Sequence, residues 1–97
     1  MPVYLVTPLS QNADRIKAAV ALRLPSEDQH ELQSSAGWLV DFRGTSVELS
    51  NLIGITTTEG KPSDGLGSAM VTSVGSYYGL GSTAMWEWLK TRFERAA

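Results

Sequence analysis

The most apolar short stretch of the chain lies at residues 3–6, which read Val-Tyr-Leu-Val. All four residues favour strands, and the segment is apolar on both faces. Such a strand is typical of the centre of a sheet, where both faces are covered. Pro8 ends it, because proline cannot donate a ladder hydrogen bond. Residues 68–76 contain a second apolar strand pattern.

The segment from residue 38 to residue 43 alternates between two kinds of position. The odd positions Leu39 and Asp41 point one way, and large apolar residues point the other way. This alternation predicts a strand that buries its aromatic face. The residues on that face are Trp38, Val40 and Phe42.

A helix is predicted over residues 10–24, where apolar residues recur at helical spacing. Ser10 or Asn12 can cap its start, and Pro25 stops it. The apolar stripe consists of Ile16, Ala19, Val20 and Leu24.

A shorter helix is predicted to begin at Thr45. Its hydroxyl can accept the N–H group three residues on while Glu48 reaches back, which is the capping-box pattern. Gly54 follows where a left-handed residue ends helices. The buried stripe consists of Leu49, Leu52 and Ile53.

The last helix is predicted at about residues 83–96, with Ser82 or Thr83 as its cap. Trp88 lies off the apolar face of this helix. The residues on the apolar face are Met85, Trp86, Leu89 and Phe93.

The order strand, helix, strand, strand, helix, strand, helix predicts an α+β fold. Its first six elements match the ferredoxin-like βαββαβ arrangement, with two helices on one face of a four-stranded antiparallel sheet. This order depends on residues 26–35, which fit either a helix start or a short edge strand. We prefer the strand, because residues 34–37 then form a hairpin connection.

The prediction is a single domain over residues 1–97, with a core at 1–76 and an extra C-terminal helix at about 83–96. That helix can cover the other sheet face, pack on an edge or reach a neighbouring molecule.

Composition excludes several classes of function. The 97 residues are 42% apolar and 19% charged, as in a globular domain, and the longest apolar run is too short for a membrane span. No basic region followed by an apolar stretch is visible near the start, so we expect a cytoplasmic protein. The net charge of −2 argues against nucleic-acid binding through phosphates. The absence of cysteine excludes a thiolate zinc site and a cysteine nucleophile.

The sequence shows no catalytic constellation. His30 is the single histidine and stands between Asp28 and Glu31, a position more typical of a surface residue than of a general base. Asp41 is interpreted as an exposed residue paired with Arg43 or another base. No two carboxylates are fixed on one helical face, so we predict no catalytic residue, no metal site and no cofactor.

A glycine-rich turn before the last helix offers an alternative function. Gly79, Gly81, Ser82 and Thr83 follow a strand and open a helix, where backbone N–H groups can bind a phosphate or a nucleotide. The turn is neither a dinucleotide-binding motif nor a Walker loop, and a capped turn explains the same residues without a ligand. If an anion binds, the similar Gly-Leu-Gly-Ser at residues 65–68 would be its lid.

Aromatic residues are concentrated near the last helix. Tyr77, Tyr78, Trp86 and Trp88 fall within twelve positions. Trp86 is predicted to anchor the helix, which leaves Trp88 and a tyrosine at the surface. Since exposed Trp and Tyr are enriched at interfaces, we predict a homodimer contact at Tyr77, Tyr78 and Trp88. The favoured function is a non-enzymatic interaction module that self-associates and also binds a protein partner.

Two resemblances add to these expectations. The residues that carry the first are MPVYLV, Gly37-Trp38-Leu39-Val40, Thr45-x-x-Glu48-Leu49-Ser50-x-Leu52-x-Gly54-Ile55, Ser76-Tyr77-Tyr78-Gly79 and Trp86-x-Trp88. Together they resemble a group of short bacterial proteins to which no activity is assigned. More distantly, the layout is similar to Cas2-like and SinR-like proteins, which implies a ferredoxin-like core and a tendency to dimerise. Cas2-type nucleases bind metal through an aspartate at the end of the first strand, where this chain reads Val6-Thr7-Pro8-Leu9, so the resemblance does not imply nuclease activity.

Overall fold

The computed structural model describes residues 2–59, 65–75, 79 and 81–96, with the side chains of 93–96 left out. Within these ranges the strands are β1 (Val3–Pro8), β2 (Gln29–Glu31), β3 (Trp38–Asp41) and β4 (Ala69–Val74). The helices are α1 (Ala13–Arg23), α2 (Ser46–Ile53) and α3 (Thr83–Ala96). Short 3₁₀ turns at Ser26–Asp28 and Gln33–Ser35 flank β2. The protein is therefore α+β, and its main elements follow the predicted order.

The four strands form one antiparallel sheet in the order β2-β3-β1-β4. β1 lies inside the sheet, where Val3 is opposite Asp41 of β3 on one side and Val74 of β4 on the other. The interior position predicted for residues 3–6 is confirmed. The strand interpretation of residues 26–35 is also confirmed, although only Gln29–Glu31 pair with β3.

One face of the sheet is covered by α1 and α2. The aromatic face predicted for β3 lies on this side, where Trp38 is 1% exposed. The face is well packed, because side chains from both helices and from the two inner strands interlock there. The buried residues of this cluster are Tyr4, Val6, Ile16, Val20, Leu24, Trp38, Val40, Leu49, Ile53 and Ile55.

The opposite face of the sheet is covered by α3. Leu89 is buried there against Val3 and Leu39. The residues packed around this smaller cluster include Leu5, Val74, Met85, Trp86 and Trp88. Of the three positions that the sequence allows for the last helix, α3 takes the one over the second face.

The capping box predicted for α2 is present. Thr45 Oγ1 accepts from the Glu48 N–H at 3.1 Å, and the Thr45 N–H donates to Glu48 Oε1 at 3.1 Å. At the other end Gly54 has φ 101°, and the N–H groups of Gly54 and Ile55 both donate to the Ser50 carbonyl. Both predicted ends of this helix are therefore confirmed.

Replacing Thr45 with alanine is expected to lower the free energy of unfolding by about 1 kcal/mol, because the Glu48 N–H loses its acceptor. Urea denaturation followed by far-UV circular dichroism measures this change. Thr45→Ser keeps the hydroxyl group and is the matched control. A loss for alanine no larger than that for serine would contradict the capping role.

Asn12 does not cap α1 with its side chain, and the helix begins later than predicted. Its amide nitrogen instead donates to the carbonyls of Leu66 and Ser68, at 2.6 Å and 3.0 Å. Its Oδ1 accepts from the Ser10 N–H at 3.2 Å. The buried Asn12 thus ties residues 66–68 to the start of α1.

Candidate functional site

The start of α3 is capped by a serine. The Met85 N–H donates to Ser82 Oγ at 3.2 Å, and the Trp86 N–H donates to the Ser82 carbonyl at 3.2 Å. A Cβ at Gly81 would contact the terminal methyl group of Met85, a flexible side-chain end that can move aside at little cost. Capping accounts for Ser82 without a ligand.

Of the four proposed anion-binding residues, Ser82 therefore has a local structural role. In the structure Thr83 is the first residue of α3, and Gly79, Gly81 and Ser82 precede the helix. Anion binding by these residues stays a prediction.

The loop predicted as a lid for this turn lies elsewhere. Residues 65–68 are bound to the start of α1 through Asn12, and the Gly65 carbonyl accepts from Arg15 Nη1 at 3.2 Å. This loop precedes β4 whereas the glycine turn follows β4, and a six-residue strand is roughly 20 Å long. The lid interpretation is wrong because the loop is held against α1.

Asp41 is buried rather than exposed, and its partner is not Arg43. Its side chain is 5% exposed on the sheet face that α3 covers, with Oδ2 at 3.4 Å from Nε of Arg92. The expectation of an exposed aspartate is wrong because the second sheet face is covered by a helix from the same chain.

Arg92 joins α3 to both the sheet and the turn before β2. Its guanidinium Nη2 lies 3.8 Å from Oδ1 of Asp28 and donates to the carbonyl of Glu27. The same group lies over the ring of Trp88, with 5.1 Å between the guanidinium carbon and the ring centroid. A cation at this distance is attracted by the face of the indole. Arg92 therefore fixes both the position of α3 and the orientation of Trp88.

His30 lies at the edge of the same cluster. It is half-buried on β2 and its ring centroid is 6.3 Å from that of Trp88. Within the part of the chain that the structure describes, no three His, Cys, Asp or Glu side chains lie close enough to hold a metal ion. The arrangement places the single histidine beside an aromatic ring.

The contact between α3 and the sheet contains buried polar atoms that make no hydrogen bond. Among the described side chains these are Oδ1 of Asp41, Nε1 of Trp88 and Nε of Arg92. Each such atom costs about 1–3 kcal/mol, so the contact includes local costs as well as ionic attraction. Natural proteins tolerate such costs mainly at functional or strained positions. This cluster is therefore the first place to look for function.

The side of α3 next to this cluster forms an open concavity of about 310 Å³. Its lining combines one face of an indole with a carboxylate, a hydroxyl group and a small methyl group. This volume is at the lower end of the range for ligand pockets, and it suits a side chain better than a large cofactor. The lining residues are Ala84, Glu87, Trp88, Thr91 and Arg92.

The predicted interface residues are only partly covered by the structure. Trp88 is half-buried and borders the concavity, and it also packs against the core cluster beneath α3. Tyr77 and Tyr78 lie outside the described residues. Sequence analysis missed the role of Arg92. The available signal was an acid at position 41 in an otherwise apolar strand, which needs a buried counter-ion if both faces are covered.

Comparisons with protein-family models, with curated proteins and with solved structures find no match for this chain. Among the residues that the structure describes, none of the helices has the length and apolar character that crossing a bilayer requires. A functional assignment therefore depends on the geometry around α3.

Proposed function

We propose that this protein is a small non-enzymatic interaction module that self-associates and binds a protein partner through the concavity on α3. The observation that carries the proposal is the half-buried indole of Trp88 at this concavity. Tryptophan is enriched among residues that dominate binding energy, especially where a pocket surrounds it. The neighbouring Glu87 and Thr91 supply polar groups for the rim of such an interface.

The indole of Trp88 is held in place before any partner binds. Arg92 lies over its ring, and Leu89 and its neighbours pack beneath the helix. A side chain that is already fixed loses little conformational entropy on binding, which favours affinity. This supports a binding role for Trp88 over that of an incidental surface residue.

The ferredoxin-like assignment belongs to the same proposal. In the sheet order β2-β3-β1-β4, β3 separates the two strands joined by α1, and β1 separates the two joined by α2. Such interleaved crossovers, with both helices on one face, support a split βαβ arrangement.

A domain of this size buries a modest share of its surface, so association that covers more apolar area stabilises it.

Filling the concavity is expected to weaken self-association. Ala84 is exposed at its rim, and Ala84→Arg should raise the dissociation constant of the dimer by about tenfold or more, since steric exclusion of a hot spot costs at least ~1.4 kcal/mol. Sedimentation velocity over a concentration series measures the dissociation constant. Trp88→Ala should act in the same direction.

The matched control is Ala21→Arg, which adds the same side chain at an exposed position of α1. Circular dichroism melting shows whether each variant is folded. A wild-type protein that remains monomeric at ~1 mM, where even weak specific complexes form, would contradict the proposed self-association. Equal effects of the two arginine substitutions would contradict the role of the concavity.

A further inference from the structure

The lining of the concavity lies along one side of α3, because its members are three or four residues apart in the helix. Burial changes across this side. Arg92 is buried and Trp88 is half-buried, whereas Ala84, Glu87 and Thr91 are exposed. The concavity therefore has an aromatic floor next to the sheet and a polar rim on the outer side of the helix.

The positive charge of Arg92 is used within the chain. Its Nε lies 3.4 Å from Oδ2 of Asp41, and its Nη2 lies 3.8 Å from Oδ1 of Asp28. Nη2 also donates to the carbonyl of Glu27. Because two carboxylates lie next to a single guanidinium group, this cluster presents no excess positive charge to the concavity.

The polar groups that the rim offers to an occupant are hydrogen-bond acceptors. The Thr91 hydroxyl donates to the Glu87 carbonyl at 2.9 Å, so its oxygen has only acceptor capacity left. An ionised carboxylate such as that of Glu87 also only accepts, and the ion pairs that join described side chains do not include it. The indole N–H of Trp88 is a donor, but it is buried. The rim is therefore negatively charged and suits an occupant that donates.

We infer that the concavity binds a basic side chain of the protein partner, with the stem of that side chain against the indole of Trp88 and its charged end at the Glu87 carboxylate. Lysine and arginine have this form, since their stems pack on apolar surface while their charged ends stay near water. An acidic side chain would bring like charges together at the rim. The inference rests on the proposed function and gives the chemistry of the group that the partner supplies.

Blocked tripeptides with one variable central side chain test this inference. The probes carry lysine, acetylated lysine or glutamate at the central position, each between two alanines. The lysine peptide should bind weakly and shift the amide signals of Glu87, Trp88 and Thr91 in heteronuclear NMR spectra. Acetylation keeps the stem and removes the charge, so it should raise the dissociation constant by about threefold or more at low ionic strength. The glutamate peptide should not shift these signals.

Substitutions in the protein identify the group that recognises the charge. Glu87→Gln keeps the shape of the side chain and should raise the dissociation constant of the lysine peptide by about threefold or more. The matched control is Asp14→Asn, which removes the same charge at an exposed position of α1 and should leave that constant unchanged. Ala84→Arg fills the concavity and should abolish the shifts. Circular dichroism melting verifies that each variant is folded.

The possible results separate the inference from the proposed function. Equal affinities for the lysine and acetyl-lysine peptides would overturn the inference, as would a Glu87→Gln protein that binds the lysine peptide as tightly as the wild type. If no peptide shifts the signals while Ala84→Arg still weakens self-association, the inference is wrong and the proposed function stands. If the lysine peptide binds as expected while Ala84→Arg and Ala21→Arg affect self-association equally, the basic-group site is supported and the role of the concavity in self-association is contradicted.

Discussion

Replacing Trp38 with alanine is expected to lower the free energy of unfolding by about 3–5 kcal/mol. Trp38 is 1% exposed beneath α1 and α2, so its removal leaves a cavity that the surrounding side chains cannot fill. Since small domains have about 5–15 kcal/mol of stability, this single change removes a large part of the total. Urea denaturation followed by far-UV circular dichroism measures the loss.

The control for Trp38 is phenylalanine, which keeps an aromatic ring in the same cluster. Trp38→Phe leaves a smaller cavity and should cost clearly less than the alanine substitution. Equal stability of the wild-type and alanine proteins would contradict the position of Trp38 in the core.

Replacing Arg92 with methionine is expected to lower the free energy of unfolding by about 3–5 kcal/mol, because it leaves the buried carboxylate of Asp41 without its counter-ion. Methionine keeps much of the apolar volume, so the loss reports mainly on charge and hydrogen bonding. The contacts of Arg92 with Asp28 and with the Trp88 ring are lost as well. Equilibrium denaturation measures the loss, and tryptophan fluorescence reports the change around Trp88.

A double variant separates the unpaired charge from the loss of the pair. Asp41→Leu combined with Arg92→Met removes both charges, and replacing a buried pair with apolar residues is often neutral or stabilising. We therefore expect the double variant to be more stable than the Arg92→Met protein. If the double variant were the less stable of the two, the unpaired charge of Asp41 could not be what destabilises the Arg92→Met protein. Neutralising that charge would then not be the main function of Arg92.

The parts of the fold that the sequence predicts well depend on neighbours in the chain. The ends of α2 follow from Thr45, Glu48 and Gly54, which act through hydrogen bonds within a few residues. The alternation at residues 38–42 likewise identifies β3 because side chains on a strand alternate between faces. Local rules of this kind identify most of the elements, whereas residues 26–35 fit either a helix or a strand until their pairing with β3 is known.

The candidate site depends on contacts between distant parts of the chain. An amphipathic helix such as α3 has the same pattern whichever surface it covers, so the sequence leaves its position open. As long as the position of α3 is unknown, the sequence does not show that a helix covers Asp41. It also does not show that Arg92 is close enough to pair with Asp41. The role of Asn12 also depends on distant residues. Its side chain bonds to the carbonyls of Leu66 and Ser68 instead of capping α1, and the local sequence does not show this. Trp88 is an interface candidate on residue type alone, and that role stays a prediction.

The strand order has a consequence for how quickly the chain folds. β1 is flanked by β3 and β4, and the hydrogen bond from Thr72 Oγ1 to the Leu5 carbonyl spans 67 positions. Loop-closure entropy must be lost before such distant contacts stabilise the chain, and proteins dominated by them fold slowly. The pairing of β1 with β4 therefore requires most of the chain to be closed into one loop first. The folding rate should be well below that of a helical bundle of equal length.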